Sequence, residues 1–227
     1  GLPRPMNLEL ARAVEMEALG CGVTPATVAL LDGKIRVGLE AEELERLAFS
    51  PARKISRKDF GIALARKEAG GTTVAGTLIV ARIAGIQVFA TGGIGGVHRD
   101  AAQDVSADLP ELARSAVIVV CAGAKAILDL NATLEYLETA GVPVIGYQTD
   151  EFPAFYSAES GLRVDVRVES AAEVVEIART HWGLGLTGAV LVVVPPPAEA
   201  ALPAGRVERE IQAALRDARE QNIHGAR

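Results

Sequence analysis

A chain of 227 residues, 49% of them hydrophobic, is long enough for one sizeable core and does not require two domains. Its net charge of −6 argues against a general nucleic-acid-binding or membrane-surface protein, while leaving room for a local basic patch that holds one small anion. Two cysteines, Cys21 and Cys121, without partners at metal-ligand spacing point to a reducing, cytoplasmic compartment, and the apolar runs are too short or too interrupted to span a bilayer.

Gly1-Leu2-Pro3-Arg4-Pro5 is neither a signal peptide nor an initiator sequence and reads as a chain entered part-way. Asn7 is placed to cap a helix through Leu19 that Gly20 stops. Residues 26–31 and 34–39 are β-like runs, joined by Asp32-Gly33, a hairpin signal because type I′ turns need positive φ. Residues 41–48 read as a charged helix. Ser56 caps a further helix over residues 59–69. Gly70-Gly71-Thr72-Thr73 opens the next, Val74 to Ala84, which is apolar nearly all round and therefore expected in a core. A strand over residues 86–90 runs into a loop with four glycines in five positions, Gly92-Gly93-Ile94-Gly95-Gly96, followed by Val97-His98-Arg99. The continuous apolar run Val117 to Cys121 predicts a sheet strand covered on both faces. Residues 126–140 predict a helix, 142–147 a strand, 171–182 a helix capped by Ser170, 189–194 a strand ended by Pro195-Pro196-Pro197, and 205–221 a last helix. Alternating strands and helices predict a single α/β domain over residues 1–227, a three-layer α/β/α arrangement whose central sheet is largely parallel and made mixed by the early hairpin.

Several constellations carry possible chemistry. Glycine allows close backbone approach and positive φ, so N–H groups of the glycine loop beside His98 and Arg99 suit an anion such as a phosphate. The competing reading is a tight connection without a ligand. The loop is no dinucleotide fingerprint, because His98 stands where the third glycine belongs, and it lacks the Lys-Ser/Thr of a P-loop; an NAD-dependent oxidoreductase is accordingly disfavoured. Thr72-Thr73 at a helix start is a second anion site or a simple N-cap. Lys125 follows the buried run at its carboxyl end, where sites collect in open α/β sheets. It is a nucleophile in partly apolar surroundings, or a surface lysine in the first turn of the next helix. Asp104 and Asp108 suit a hydrated Mg²⁺ or Mn²⁺ near a phosphate, with Asp108 alternatively an N-cap. Lys54 lies in a charge run that is usually a solvated face. Tyr147, Phe152, Phe155 and Tyr156 concentrate the scarce aromatic residues in ten positions, as core packing, a subunit interface, a lid or a surface for a flat ligand. His181 and His224 have no supporting neighbours.

Taken together, Gly71-Thr72-Thr73-Val74-Ala75, Phe89 to Arg99, Asp104-Val105-Ser106-Ala107-Asp108-Leu109 and Val120-Cys121-Ala122-Gly123-Ala124-Lys125 resemble the pseudouridine-5′-phosphate glycosidases, the indigoidine synthase A-like family. Leu134 to Thr139 and Gly146-Tyr147-Gln148-Thr149 extend the resemblance. It implies a lyase that interconverts pseudouridine 5′-phosphate with uracil and ribose 5-phosphate, aided by Mn²⁺ (or Mg²⁺ or another divalent ion), in a homotrimer with an α/β/α core. By that resemblance Lys125 is the nucleophile that forms an imine with C1′ of the ring-opened ribose. Asp104 is the metal-linked aspartate. Lys54, Val74, Ser106, Ala107 and Asp108 match the family's substrate-binding positions, and the anion readings above add Thr73 and His98 to the candidate substrate-binding residues. The family's general-acid glutamate belongs to a strand upstream of Gly1, and an active-site asparagine belongs to a helical segment downstream of Arg227. The sequence departs from the pattern in a short loop between Arg99 and Asp104, at Asn131-Ala132, and at Pro195-Pro196-Pro197. A non-catalytic sugar-phosphate-binding homologue on the same fold is the alternative.

Overall fold

The computed structural model describes residues 2–99, 101–221 and 223. His224, to which the sequence assigns no role, lies outside them. The chain divides into two compact units, Gly1–Gly85 and Ile86–Arg227.

The first unit contains, in order, α1 (Met6–Gly20), β1 (Val28–Leu31), β2 (Lys34–Val37), α2 (Ala41–Phe49), β3 (Arg53–Ile55), a 3-10 turn (Arg57–Asp59), α3 (Phe60–Ala65), β4 (Gly70–Thr72) and α4 (Val74–Ala84). Its sheet has the order β2-β1-β4-β3. Asp32 and Gly33 both take positive φ, +53° and +75°, as the predicted hairpin turn requires. Leu30, Ile55 and Ala63 form the core, with Ile35, Phe60 and Leu64 against them. Two expectations need correction. Asn7 lies inside α1, not at its cap, and its amide donates to the Ala48 carbonyl at 3.2 Å. Residues 59–69 do not form one helix: α3 stops at Ala65 because the chain must return as β4, parallel to β3. That strand went unpredicted because Gly70-Gly71 carries no β-propensity. A side chain at Gly70 would meet Ile55 at 2.3 Å.

The second unit contains β5 (Val88–Ala90), β6 (Val97–His98), β7 (Ala101–Val105), α5 (Asp108–Leu112), β8 (Ile118–Cys121), β9 (Leu128–Asp129), α6 (Leu130–Thr139), β10 (Val144–Tyr147), β11 (Val166–Val168), α7 (Ala171–Gly183), β12 (Val190–Val193) and α8 (Ala204–Glu220). A five-stranded sheet of order β11-β10-β12-β8-β5 is parallel throughout and flanked by helices. The α/β expectation holds. The early hairpin, however, stays in the four-stranded sheet of the first unit and does not mix this one. One face packs Ile118, Ile145, Val190 and Val192 against Val174 and Ala178 of α7. Each of these buried valine and isoleucine side chains stabilises by about 1.5–3 kcal/mol. Ser170 caps α7 as predicted, accepting the Glu173 N–H at 3.3 Å. A second, three-stranded sheet of order β7-β6-β9 is antiparallel and builds the surroundings of the candidate site.

Candidate functional site

The glycine loop continues the β5–β8 ladder past the ends of both strands. Thr91 N–H donates to Val120 O at 2.9 Å, Ala122 N–H to Gly92 O at 3.1 Å, Ile94 N–H to Gly123 O at 3.0 Å, and Lys125 N–H to Ile94 O at 3.1 Å. Lys125 is therefore delivered by backbone pairing at the carboxyl end of β8. It is not in a helix: the predicted helix over residues 126–140 begins only at Leu130, because residues 128–129 pair with β6 and Asp129 supplies the N-cap, accepting the Ala132 N–H at 2.9 Å. The Lys125 side chain is exposed, so within this unit it does not sit in the apolar recess expected of it.

The same geometry revises the anion cradle. None of the four loop glycines takes positive φ. Gly93, Ile94, Gly95 and Gly96 are buried, and the N–H groups of Ile94, Gly95 and Val97 are committed inside the fold. Gly95 N–H donates to Asp108 Oδ2 at 2.8 Å, and Val97 N–H to Thr133 Oγ1 at 3.0 Å. The glycines serve close approach instead: a Cβ on Gly95 would lie 2.2 Å from Ser106 Oγ, and one on Gly96 would lie 2.3 Å from Thr133 Oγ1. Arg99 is likewise committed, to Glu208 of α8 and to two main-chain carbonyls.

Ser106 and Asp108 pack directly beneath this loop. Ser106 N–H donates to Gly96 O at 3.0 Å, and Ser106 Oγ accepts the Asp108 N–H at 3.2 Å. Asp108 is buried at the first position of α5, so its carboxylate is no N-cap; it braces Gly95. Ala107, half-buried, lies between them. Asp104 stands on β7 and His98 on β6, both exposed, with His98 Nδ1 3.9 Å from Asp104 Oδ2. Since β6 pairs with β7 on one side and β9 on the other, the small sheet sets His98 between the strand bearing Asp104 and the one that follows Lys125.

Among the described residues no group of three or more His, Cys, Asp or Glu side chains is arranged to hold a metal. A closed structural site is thus not present among them. The Asp104–His98 pair fits a different mode: one exposed carboxylate, with an imidazole beside it, suits a hydrated divalent ion that keeps most of its waters.

The remaining predicted residues belong to the first unit. Lys54 is exposed on β3. Thr73 is the N-cap of α4, its hydroxyl accepting the Gly76 N–H at 3.2 Å, which is the simpler of the two readings of Thr72-Thr73. Val74 opens α4, half-buried.

The aromatic group divides by role. Phe152 is fully buried and Tyr147 packs on the α7 face of the sheet. Phe155 takes φ +61°, an outlier for a bulky side chain, held by its N–H donating to Ala122 O at 3.0 Å. Its ring covers Gly93, where a Cβ would come within 2.4 Å, and meets the exposed Tyr156 edge-to-face at 4.6 Å.

A family described as Indigoidine synthase A like protein matches residues 1–227. A protein of Geobacillus kaustophilus named pseudouridine-5′-phosphate glycosidase is 54% identical over 228 residues, covering 99% of this chain and 76% of that protein. One of the same name from Caldanaerobacter subterraneus is 52% identical over 99% of this chain and 74% of its own length. Among solved structures, the prealnumycin C-glycosynthase in complex with ribulose 5-phosphate superposes with a TM-score of 0.92 at 41% identity, covering 98% of this chain and 74% of that one. An indigoidine synthase A-like protein of Thermotoga maritima gives 0.90 at 38% identity, over 93% of this chain and 72% of that one.

Proposed function

The chain belongs to the indigoidine synthase A-like family, and on that footing we propose that it is an enzyme acting on the C–C glycosidic bond of pseudouridine 5′-phosphate, with uracil and ribose 5-phosphate as products. The observation that carries the proposal is Lys125, held by the extended β5–β8 ladder at the end of a buried strand and exposed there. Relatives bearing one enzyme's name across 99% of the chain favour catalysis over the binding-only alternative. A relative whose structure carries ribulose 5-phosphate supports a sugar phosphate as the ligand.

A C-glycoside has no leaving oxygen to protonate, so hydrolysis by two carboxylates is a poor route. An amine does better, because an imine is an electron sink. Ring opening breaks C1′–O4′, with the electron pair and a proton going to O4′, and Lys125 Nζ adds to C1′ and gives up a proton, leaving a C1′ amine still bonded to C5. C5 of the uracil then takes up a proton and the C1′–C5 bond breaks with its electron pair passing to the uracil ring, while the Lys125 nitrogen lone pair forms the imine with C1′. Water finally releases the sugar from Lys125. Ser106, Ala107 and Asp108 are assigned to substrate binding, with Asp108 acting through Gly95. His98 lies beside them, and Lys54, Thr73 and Val74 are the assignments in the first unit. A divalent ion, Mn²⁺ or alternatively Mg²⁺, would be held at Asp104 with His98 alongside, and supplies positive charge for a phosphate or sugar oxygen. A homotrimer in the cytoplasm completes the proposal; no described helix is long and apolar enough to cross a membrane.

The test is uracil release from pseudouridine 5′-phosphate by the full-length protein with Mn²⁺. Lys125→Ala abolishes it, and borohydride traps a sugar adduct on Lys125 in the wild type. Unchanged turnover in the variant sinks the assignment.

A further inference from the structure

The loop that carries Lys125 is held on one side by the ladder to Ile94. Its other side is held by the pairing of Leu128 and Asp129 with β6, by the Leu128 N–H donating to Lys125 O at 2.9 Å, and by the Arg99 guanidinium. Arg99 Nη2 donates to Ala126 O at 2.9 Å and Nε to Leu128 O at 3.2 Å, so the group bridges the carbonyls of the first and third residues after Lys125. The adjacent edge of the same guanidinium, which shares Nη2, grips Glu208 of α8 with two bonds, Nη1 to Oε1 at 2.7 Å and Nη2 to Oε2 at 2.9 Å. Glu208 Oε1 is itself steadied by the Gln212 amide at 2.8 Å. Behind this clasp lies a cleft of about 640 Å³, lined among others by Ala126, Leu128, Asp129, Ser157 and Ile211. Ala124, Ala126 and Leu128 are buried, so packing fixes their side chains, while Arg99 and Glu208 themselves line the cleft. On that open side the main chain is oriented by directional hydrogen bonds, and a planar fork with five donors is the side chain suited to joining two carbonyls and a carboxylate at once.

We propose that Arg99 is a positioning residue for the reaction: clamped by Glu208 of α8, it holds the Ala126–Leu128 main chain and thereby the direction in which Lys125 leaves the end of β8. The role rests on Lys125 being the nucleophile. Arg99 touches no reacting atom in this role; it restricts the backbone from which the amine projects. Displacing an attacking group by about 1 Å can cost about 100-fold in rate, and this is the scale expected when the clasp is removed.

The experiment uses the full-length protein, pseudouridine 5′-phosphate and Mn²⁺, with kcat, KM, melting temperature and the rate of borohydride trapping measured in parallel. Arg99→Ala lowers kcat and the trapping rate together by about 100-fold, with KM within about threefold. Arg99→Lys restores the charge and the melting temperature but less than about a tenth of the rate, because an ammonium is a point donor and lacks the fork. Guanidinium ion at tens of millimolar, entering through the cleft, partly restores kcat in Arg99→Ala. Should Arg99→Ala fail to fold, Glu208→Gln reports on the same clasp, with a fall in kcat of about five- to tenfold and no change in KM. Wild-type kcat in Arg99→Ala, or in Glu208→Gln if that is the variant that folds, overturns the positioning role. So does a loss of rate that Arg99→Lys restores in full. If Lys125→Ala is inactive in the same assay, that failure belongs to Arg99 alone. If Lys125→Ala turns over normally, the nucleophile assignment falls and the positioning role with it.

Discussion

Placing a methyl group on Gly95 tests whether the glycine loop is built for close approach. In Gly95→Ala the new Cβ would lie 2.2 Å from Ser106 Oγ, 2.6 Å from Ser106 Cβ and 2.8 Å from Asp108 Oδ2. Ser106 cannot escape by rotating, since its Cβ is itself too close and its Oγ holds the Asp108 N–H. Backbone strain plays no part, as Gly95 does not take positive φ. Overpacking of this kind costs about 1–3 kcal/mol. Parting the Gly95 N–H from the buried Asp108 carboxylate adds about 1.5–3 kcal/mol. A total near 4 kcal/mol corresponds to a fall in melting temperature of roughly 10 °C for a chain of this size. The control is Gly92→Ala, three residues away, where the nearest atoms are Phe155 ring carbons at 3.5 and 3.8 Å; it changes stability by no more than about 0.5 kcal/mol. Urea titration and calorimetry of the two variants supply the comparison. Equal stabilities would refute the close-approach account and return the loop to a conformational or ligand-binding explanation.

Burial pushes the Cys121 thiol up to about 12, against weaker opposing help from neighbouring N–H groups. Native protein at about pH 8 therefore reacts with a thiol reagent at Cys21, which is exposed, and at Cys121 only after unfolding. Asp59 offers a pH test in the first unit. Burial, the largest single influence, raises its pKa, but the Ser56 N–H and the Arg53 guanidinium together hold it below its ordinary 3.8. A depressed carboxylate contributes stability that is present above its unfolded pKa and lost as pH falls through the folded one. Asp59→Asn thus costs about 1–3 kcal/mol near neutrality, and the difference from wild type shrinks as the pH falls below 3.8, which unfolding curves across that range would register. Asp104→Ala removes the carboxylate proposed to hold the divalent ion. Stimulation of uracil release by added Mn²⁺ is expected to disappear in it, and an undiminished Mn²⁺ response would remove Asp104 from that role.

Local chemistry was readable from the residues alone. Asp32-Gly33 specified a turn because both positions need positive φ, Thr73 and Ser170 announced helix starts because their hydroxyls satisfy free N–H groups, and Val117 to Cys121 announced a strand with both faces covered. The extended motifs around Gly92–Gly96, Asp104–Asp108 and Lys125 were enough to name the family. What the sequence could not specify depends on partners distant along the chain. The two-residue strands β6 and β9 are too short to show a period, yet their pairing delays the start of the helix expected over residues 126–140 to Leu130 and leaves Lys125 in a loop. Asp108 looked like a cap and a metal ligand until Gly95, thirteen residues earlier, took its carboxylate. Arg99 looked like an anion binder until Glu208, 109 residues later, closed on it. Composition and periodicity encode what a residue does with its neighbours in sequence. Which donor a buried carboxylate meets, and which carbonyls a guanidinium spans, is decided only when non-local pairing brings those groups to within about 3 Å.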